Sequence, residues 1–274
     1  MKTHRVLGGG GTQLHVVESG NPSGRPILFI HGFSQCWMAW NRQLHSDLAT
    51  DYRLIALDLR GHGLSDKPHD GYAESQLWAD DIHAVIQQLR LKDPVLCGWS
   101  YGPLVILDYI RHYGEDALGG INFIGGVTKL GGEEATALLA PGFLNLIPGF
   151  FASDVDECVR SLGSLLDLCF PQTLASEERY LMLGYSVSVP PYVRRALFSR
   201  SFTNDDLLPK IRRPVLITQA SDDAIVKPAA AQIHGAAIPK AEIHLMPNAG
   251  HAAFWNDAPA YNRRLREFVR AARE

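Results

Sequence analysis

The 274-residue chain has few cysteines and no excess of positive charge. Its four cysteines form no C-x-x-C pair and have no histidine at zinc-ligand spacing: Cys36, Cys97, Cys158 and Cys169. We therefore expect neither a metal site nor a disulfide framework, and predict four free thiols. Lysines and arginines number 26 against 29 aspartates and glutamates, a formal net charge of −3. Because no basic stripe is available to neutralise phosphates, we expect no nucleic-acid partner.

Long hydrophobic runs are also missing. No segment approaches the roughly 20 apolar residues of a membrane-spanning helix, so we expect no contact with a membrane. Four glycines, Gly8 to Gly11, follow the first seven residues and leave no room for the apolar part of a signal peptide. We therefore predict a cytoplasmic protein. The sequence indicates no cofactor and no particular oligomeric state.

Short apolar runs alternate with helical patterns along most of the chain. The runs predict strands, and all lie outside the middle of the sequence: 13–18, 26–30, 53–58, 94–97, 120–124, 214–218 and 241–245. Apolar residues recur at helical spacing over 73–91, from 100 onwards, and over 258–272. This alternation is typical of an α/β fold with a mostly parallel, doubly wound sheet covered by helices on both faces.

The pattern changes between about Val127 and Leu208, where no convincing strand occurs and short apolar helical pieces are separated by Gly and Pro. Because a structureless loop of this length is improbable, we predict a helical cap over 127–208, inserted into a core of 1–126 and 209–274. The cap is unusually apolar. Its apolar side chains either line a pocket or form only the cap's own core.

A serine between two glycines follows one of the predicted strands and precedes a predicted helix. The segment Gly98-Trp99-Ser100-Tyr101-Gly102 is a G-x-S-x-G motif in the strand-turn-helix context that a nucleophile requires. A tight turn of this kind strains the serine backbone and exposes its hydroxyl, and the small neighbours are needed for steric reasons. Because the helix begins here, the Tyr101 N–H has no partner within the helix and can stabilise an oxyanion.

Acidic and imidazole side chains follow two later strands. Asp222 and Asp223 come after the strand at 214–218, and His251 comes after the strand at 241–245. The carboxyl ends of parallel strands meet at one edge of a sheet, so these loops and Ser100 are expected to converge. The order serine, aspartate, histidine predicts a Ser-His-Asp catalytic triad.

With these motifs the chain resembles the α/β-hydrolase superfamily from about residue 13 to its C-terminus. The resemblance also includes Ile30-His31-Gly32-Phe33, the segment from Asp58 to Ser65, and Asn248-Ala249-Gly250-His251. Alignment with the family's aspartate turn favours Asp223 over Asp222 as the triad acid. The resemblance implies that the Phe33 backbone N–H is the second oxyanion donor, beside that of Tyr101.

This resemblance implies an esterase mechanism in which His251 removes the Ser100 proton and Asp223 orients the imidazole. We expect a small or medium carboxylic ester as substrate, or a lactone, with an apolar acyl part. The serine at the turn argues against the dehalogenase and epoxide hydrolase branches, which use aspartate there. Three alternatives stay open: a cofactor-free haloperoxidase or perhydrolase, a C–C bond hydrolase, and a small-ligand receptor built on a hydrolase fold.

Overall fold

The computed structural model describes residues 1–171 and 174–272. Eight strands form one sheet in the order β1-β2-β4-β3-β5-β6-β7-β8. The strands are β1 (Lys2–Leu7), β2 (Gln13–Gly20), β3 (Arg25–Ile30), β4 (Tyr52–Leu57), β5 (Val95–Trp99), β6 (Gly120–Ile124), β7 (Val215–Ala220) and β8 (Ala241–Met246). Strands β3 to β8 are parallel to one another, whereas β1 pairs antiparallel with β2 and β2 antiparallel with β4. The predicted α/β class with a mostly parallel sheet is confirmed.

The burial of their side chains explains why the central strands could be predicted from the sequence. Every residue of β5, β6 and β7 is buried, as expected of parallel strands covered on both faces, which appear as continuous apolar runs. Strand β8 lies at the sheet edge and leaves Leu245 half exposed. Strand β1 was not predicted, because most of its side chains are polar and exposed.

Twelve α-helices accompany the sheet in the described part of the chain. They are α1 (Asn41–Leu44), α2 (Leu48–Asp51), α3 (Ser75–Gln88), α4 (Gly102–Tyr113), α5 (Gly132–Ala137), α6 (Pro141–Leu144), α7 (Val155–Cys169), α8 (Ser176–Val187), α9 (Pro191–Phe198), α10 (Ala229–Ala237), α11 (Ala253–Asn256) and α12 (Ala258–Ala271). Helix α3 packs on α4, and α12 packs on α1 and α11. In α12 the apolar stripe predicted from the sequence is buried, and the Asp257 side chain caps its first turn.

Between β6 and β7 the described residues form five α-helices of 4 to 15 residues, α5 to α9, and no named strand. Two isolated antiparallel bridges tie this segment together and to the core: Leu130 pairs with Phe202, and Leu139 pairs with Val226. Helix α9 ends two residues before Arg200, whose buried guanidinium forms an ion pair of 2.7 Å with Asp108 of α4. A charged contact therefore links the helical segment to the helix that begins just after Ser100.

Candidate active site

Ser100 occupies a strained turn between β5 and α4. Its φ is +58°, in the left-handed region that L-residues rarely adopt. The turn is held by two backbone bonds, from Ser100 N to the Ile124 oxygen at 2.9 Å and from Val127 N to the Ser100 oxygen at 3.2 Å. A Cβ on Gly98 would lie 2.7 Å from the Gly102 carbonyl carbon. The close approach of strand and helix therefore requires glycine at this position.

Asp223 and His251 are in direct contact. The His251 Nδ1 lies 2.9 Å from Asp223 Oδ2 and 3.1 Å from Oδ1. The same carboxylate accepts hydrogen bonds from the backbone N–H groups of Ile225 and Val226, each at 2.9 Å, and from Gln219 Nε2 at 3.0 Å. These donors hold the buried carboxylate in place and leave it facing the imidazole. The His251 tautomer that carries its proton on Nδ1 is thereby favoured.

Asp222, the other carboxylate of this turn, makes no hydrogen bond with the imidazole among the described residues. It is exposed, and its side chain accepts a hydrogen bond only from the neighbouring Ser221 hydroxyl among the described residues. The geometry therefore distinguishes two adjacent aspartates that the sequence could separate only by alignment.

Ser100 and His251 line the same small cavity. The His251 Nε2 is buried and has no hydrogen-bond partner in the described residues, and no hydrogen bond to Ser100 Oγ is formed. The His251 loop is anchored by the Trp99 indole N–H, which donates to the His251 carbonyl at 3.0 Å. Nε2 is thus an acceptor without a partner, in a residue that lines the small cavity together with Ser100. Catalytic hydrogen bonds of this kind are often long until substrate binds.

The Phe33 and Tyr101 amides border the same site. Neither N–H has a hydrogen-bond partner within residues 1–171 and 174–272. The His31 Nδ1 donates to the Gly32 carbonyl at 2.8 Å, and its Nε2 accepts from the Leu59 N–H at 3.0 Å. Burial lowers the pKa of His31, so the imidazole stays neutral and can make both bonds. Because the Gly32 carbonyl shares a peptide plane with the Phe33 N–H, His31 fixes the direction of that donor.

A second, larger cavity of about 170 Å³ opens beside Ser100 and is mainly apolar. Its lining comes from Phe33, Val127 and Ile225 and from the helical segment, including Phe143, Leu144, Ile147 and Phe198. The ring centroids of Phe33 and Phe198 are 4.8 Å apart. The apolar side chains of the segment therefore do more than form its own core: Phe143 lines the cavity, and the ring centroid of the buried Phe150 lies 5.3 Å from that of Phe33.

Two residues of the site were missed by sequence reasoning. The Gly125 backbone lies directly against the imidazole and the carboxylate: a Cβ there would be 3.1 Å from His251 Nδ1 and 3.2 Å from Asp223 Oδ2. A pair of glycines after β6 was the available signal. Gln35 is fully buried and lines the small cavity with Ser100. Its position two residues after Phe33 gave no such signal.

In the part of the chain that the structure describes, no group of three or more His, Cys, Asp or Glu side chains could hold a metal ion. No helix within residues 1–171 and 174–272 is both long and apolar enough to cross a membrane. The four cysteines are buried and free.

The fold and the arrangement of these side chains define an α/β-fold hydrolase. The sequence profile of the alpha/beta hydrolase family matches residues 27–264, and the chain belongs to this family.

Relatives include the AB hydrolase superfamily protein YisY of Bacillus subtilis, 27% identical over 89% of this chain and 91% of the relative. The non-heme chloroperoxidase CPO-A1 of Kitasatospora aureofaciens is 27% identical over 90% and 92%. Among solved structures, the esterase RhEst1 from a Rhodococcus species superimposes with a TM-score of 0.94 at 34% identity, covering 99% of this chain and 100% of that one. These similarities place the protein in the esterase and haloperoxidase branch.

Proposed function

We propose that this hydrolase cleaves small or medium carboxylic esters, and lactones of similar size, through an acyl-enzyme on Ser100. The observation that carries the proposal is the orientation of His251. Its Nδ1 is bonded to Asp223, its Nε2 is buried without a partner among the described residues, and His251 and Ser100 line the same cavity. An imidazole held in this way is a general base for a serine hydroxyl.

In the acylation step, Ser100 Oγ attacks the ester carbonyl carbon and its proton passes to His251 Nε2. The negative charge that develops on the carbonyl oxygen is stabilised by the Phe33 and Tyr101 N–H groups, which have no other partner among the described residues. Collapse of this intermediate breaks the bond to the alcohol, which receives the proton from His251. Water then attacks the acyl-enzyme with His251 again as base, and the carboxylic acid leaves.

The apolar cavity supports an acyl part of limited length. Its volume of about 170 Å³ is below the roughly 300–1,000 Å³ of pockets that take drug-sized ligands. Phe143 and Phe198 narrow it with rigid rings and provide no hydrogen bonds, which suits a short hydrocarbon chain.

The test is a series of p-nitrophenyl esters assayed with the wild type and Ser100→Ala. We expect kcat/KM to peak near the butyrate and to fall at least about tenfold for the laurate, because the longer chain does not fit the cavity. Ser100→Ala should lower turnover by about 10³-fold or more while leaving the fold intact. Wild-type rates in Ser100→Ala would place the nucleophile elsewhere, and no turnover of any ester by the wild type would favour a ligand-binding protein.

A second candidate is perhydrolysis, in which hydrogen peroxide replaces water in the second step. The similarity to the chloroperoxidase CPO-A1 supports it, and the same three side chains would serve. Bromination of monochlorodimedone in acetate buffer with peroxide and bromide measures this activity. A bromination kcat/KM above that of ester hydrolysis would make it the principal function.

A further inference from the structure

The small cavity beside Ser100 has room for a single water molecule. Its volume is about 20 Å³, against the roughly 10–15 Å³ of accessible space that one water requires. Three of its lining residues carry polar side chains that bear on the reaction, Ser100, His251 and Gln35, and the remaining walls are mainly apolar, among them Trp99, Phe143 and Leu165. A water held here would lie next to the serine that becomes acylated.

Two of these side chains have a buried polar atom without a partner in the described residues: His251 Nε2 and Gln35 Oε1. The exposed fractions of the two residues are 2% and 1%. Both atoms are acceptors, because the His251 proton is held on Nδ1 by Asp223. Buried acceptors are normally satisfied, so this pair calls for a molecule with two donor hydrogens.

The Gln35 carboxamide is held by the helical segment. Its Nε2 makes a long hydrogen bond of 3.5 Å to Ser186 Oγ on α8, and the neighbouring Ser34 hydroxyl donates to the Ser186 carbonyl at 3.0 Å. With the amide nitrogen turned towards Ser186, the Oε1 atom is left as the free acceptor. This contact favours the orientation of Gln35 in which Oε1 stays available to a water molecule.

We propose that Gln35 positions the water that hydrolyses the acyl-enzyme. This inference rests on the proposed esterase function. One water hydrogen is donated to Gln35 Oε1 and the other to His251 Nε2, which directs an oxygen lone pair at the acyl carbonyl carbon. As the oxygen attacks, His251 takes its proton; the bond to Ser100 Oγ then breaks, that proton passes to Ser100 Oγ, and the carboxylic acid is released.

The arrangement discriminates between acyl acceptors. Methanol has one O–H, which His251 uses, so it gains nothing from Gln35 Oε1 and must place its methyl group near that polar atom. Removal of the Gln35 acceptor should therefore slow hydrolysis more than methanolysis. The ratio of methyl ester to free acid formed from one acyl-enzyme measures this difference directly.

The experiment compares Gln35→Met, which keeps the side-chain length but has no strong acceptor, with the wild type. With p-nitrophenyl butyrate we expect a burst of about one p-nitrophenolate per active site, followed by a steady-state rate reduced about tenfold to a hundredfold. In the presence of methanol, the ratio of methyl butyrate to butyrate should rise about tenfold. Gln35→Glu restores an acceptor oxygen and should return the ratio towards the wild-type value.

Gln43→Met is the matched control, because Gln43 is also fully buried and has an unpartnered Oε1 but does not line the cavity. It should show wild-type partitioning between water and methanol. If Gln35→Met does not fold, Gln35→Asn withdraws the acceptor by one methylene and should give the same burst and ratio.

Three outcomes overturn the inference: an unchanged steady-state rate and methanol ratio in the Gln35 variants, loss of the burst itself, or a Gln35→Glu variant as impaired as Gln35→Met. Turnover of p-nitrophenyl butyrate by the wild type that Ser100→Ala abolishes shows that the esterase proposal stands even then. Failure of the esterase proposal would instead appear as no acyl-enzyme in any variant.

Discussion

Asp222 and Asp223 are adjacent in sequence but differ in burial and in bonding. Asp223 is buried and contacts His251 Nδ1 at 2.9 Å, whereas Asp222 is exposed. We expect Asp223→Asn to reduce kcat by about 10³- to 10⁴-fold, because an amide can donate to Nδ1 and so favours the wrong imidazole tautomer. Asp222→Asn should remain within about threefold of the wild type. Steady-state kinetics with p-nitrophenyl butyrate measures both, and the opposite ranking would contradict the assignment.

Gly125 provides a test of how tightly the imidazole is packed. A methyl group at this position would press on His251 Nδ1 and Asp223 Oδ2, and the glycine φ of +49° also disfavours alanine. We expect Gly125→Ala to lower kcat by at least about tenfold, because displacement of a catalytic group by a fraction of an ångström misaligns proton transfer.

The control for this change is Gly114→Ala. Gly114 also has a positive φ, +73°, but a Cβ there would meet nothing within 4 Å. The Gly114→Ala variant should lose about 1 kcal/mol or more of unfolding free energy through backbone strain, as measured by urea unfolding, and should keep the wild-type kcat. Equal losses of activity in the two variants would show that strain rather than contact with the imidazole is responsible.

At the scale of single elements, helix α10 contains a buried histidine, His234, that makes the free energy of unfolding depend on pH. Burial, with a smaller contribution from the Lys129 ammonium, lowers the pKa of His234 from 6.5 to about 4. Between these values the unfolded chain binds a proton that the folded protein does not. Stability is therefore complete above about pH 6.5 and falls as the pH drops towards 4.

His234→Gln removes this titration. We expect the loss of unfolding free energy between about pH 7 and about pH 4.5 to be smaller by about 2–3 kcal/mol in the variant than in the wild type. Urea unfolding followed by far-UV circular dichroism at the two pH values measures it. His45→Gln, a substitution of an exposed histidine, is the matched control. An unchanged loss in His234→Gln would contradict the prediction.

The elements that could be predicted from the sequence are those whose own residues have the apolar pattern of a buried strand. Strands β3, β5, β6 and β7 are short apolar runs, and their predicted limits agree with the structure to within two residues. Strand β1 was missed because its pairing with β2, and not its own polar sequence, makes it a strand. The predicted helix at 73–91 is shorter in the structure, Ser75–Gln88.

The residues of the candidate site also fall into two groups, those that could be predicted from the sequence and those that could not. Ser100, Asp223 and His251 could be predicted because each follows a strand, and the topology of a parallel sheet then brings their loops to one edge. Phe33 was predicted only through the family resemblance. Gln35 could not be predicted, because its importance depends on its place in the small cavity, beside residues far apart in the sequence. For Gly125 the pair of glycines after β6 was a signal, but its contacts with His251 and Asp223 arise only in the folded chain.

At the scale of the whole molecule, we propose that the predicted cap, 127–208, and the core form one cooperative unit. The buried pair of Arg200 and Asp108, the bond from Arg200 to the Tyr101 hydroxyl at 3.1 Å, and the bridge between Leu139 and Val226 connect the two. Breaking a buried ion pair of this kind by removing one partner costs about 3–5 kcal/mol. Neither part is therefore expected to unfold alone.

Tryptophan fluorescence tests this coupling, because all five tryptophans lie outside 127–208: Trp37, Trp40, Trp78, Trp99 and Trp255. Fluorescence reports on the core, whereas far-UV circular dichroism reports on the helices of both parts. We expect the two signals to give coincident urea transitions. A circular dichroism transition that begins before the fluorescence changes would show that the cap unfolds separately.

The left-handed backbone at Ser100 has a consequence for how this protein can change. A serine at φ +58° is strained, and glycine would release this strain. Replacement of Ser100 by glycine should therefore raise the free energy of unfolding and remove the nucleophile. Selection of heat-resistant variants from a random library, without a parallel demand for turnover, will favour inert proteins at this position. In a lineage that no longer needs the activity, the same single substitution would convert the enzyme into a more stable protein without a nucleophile.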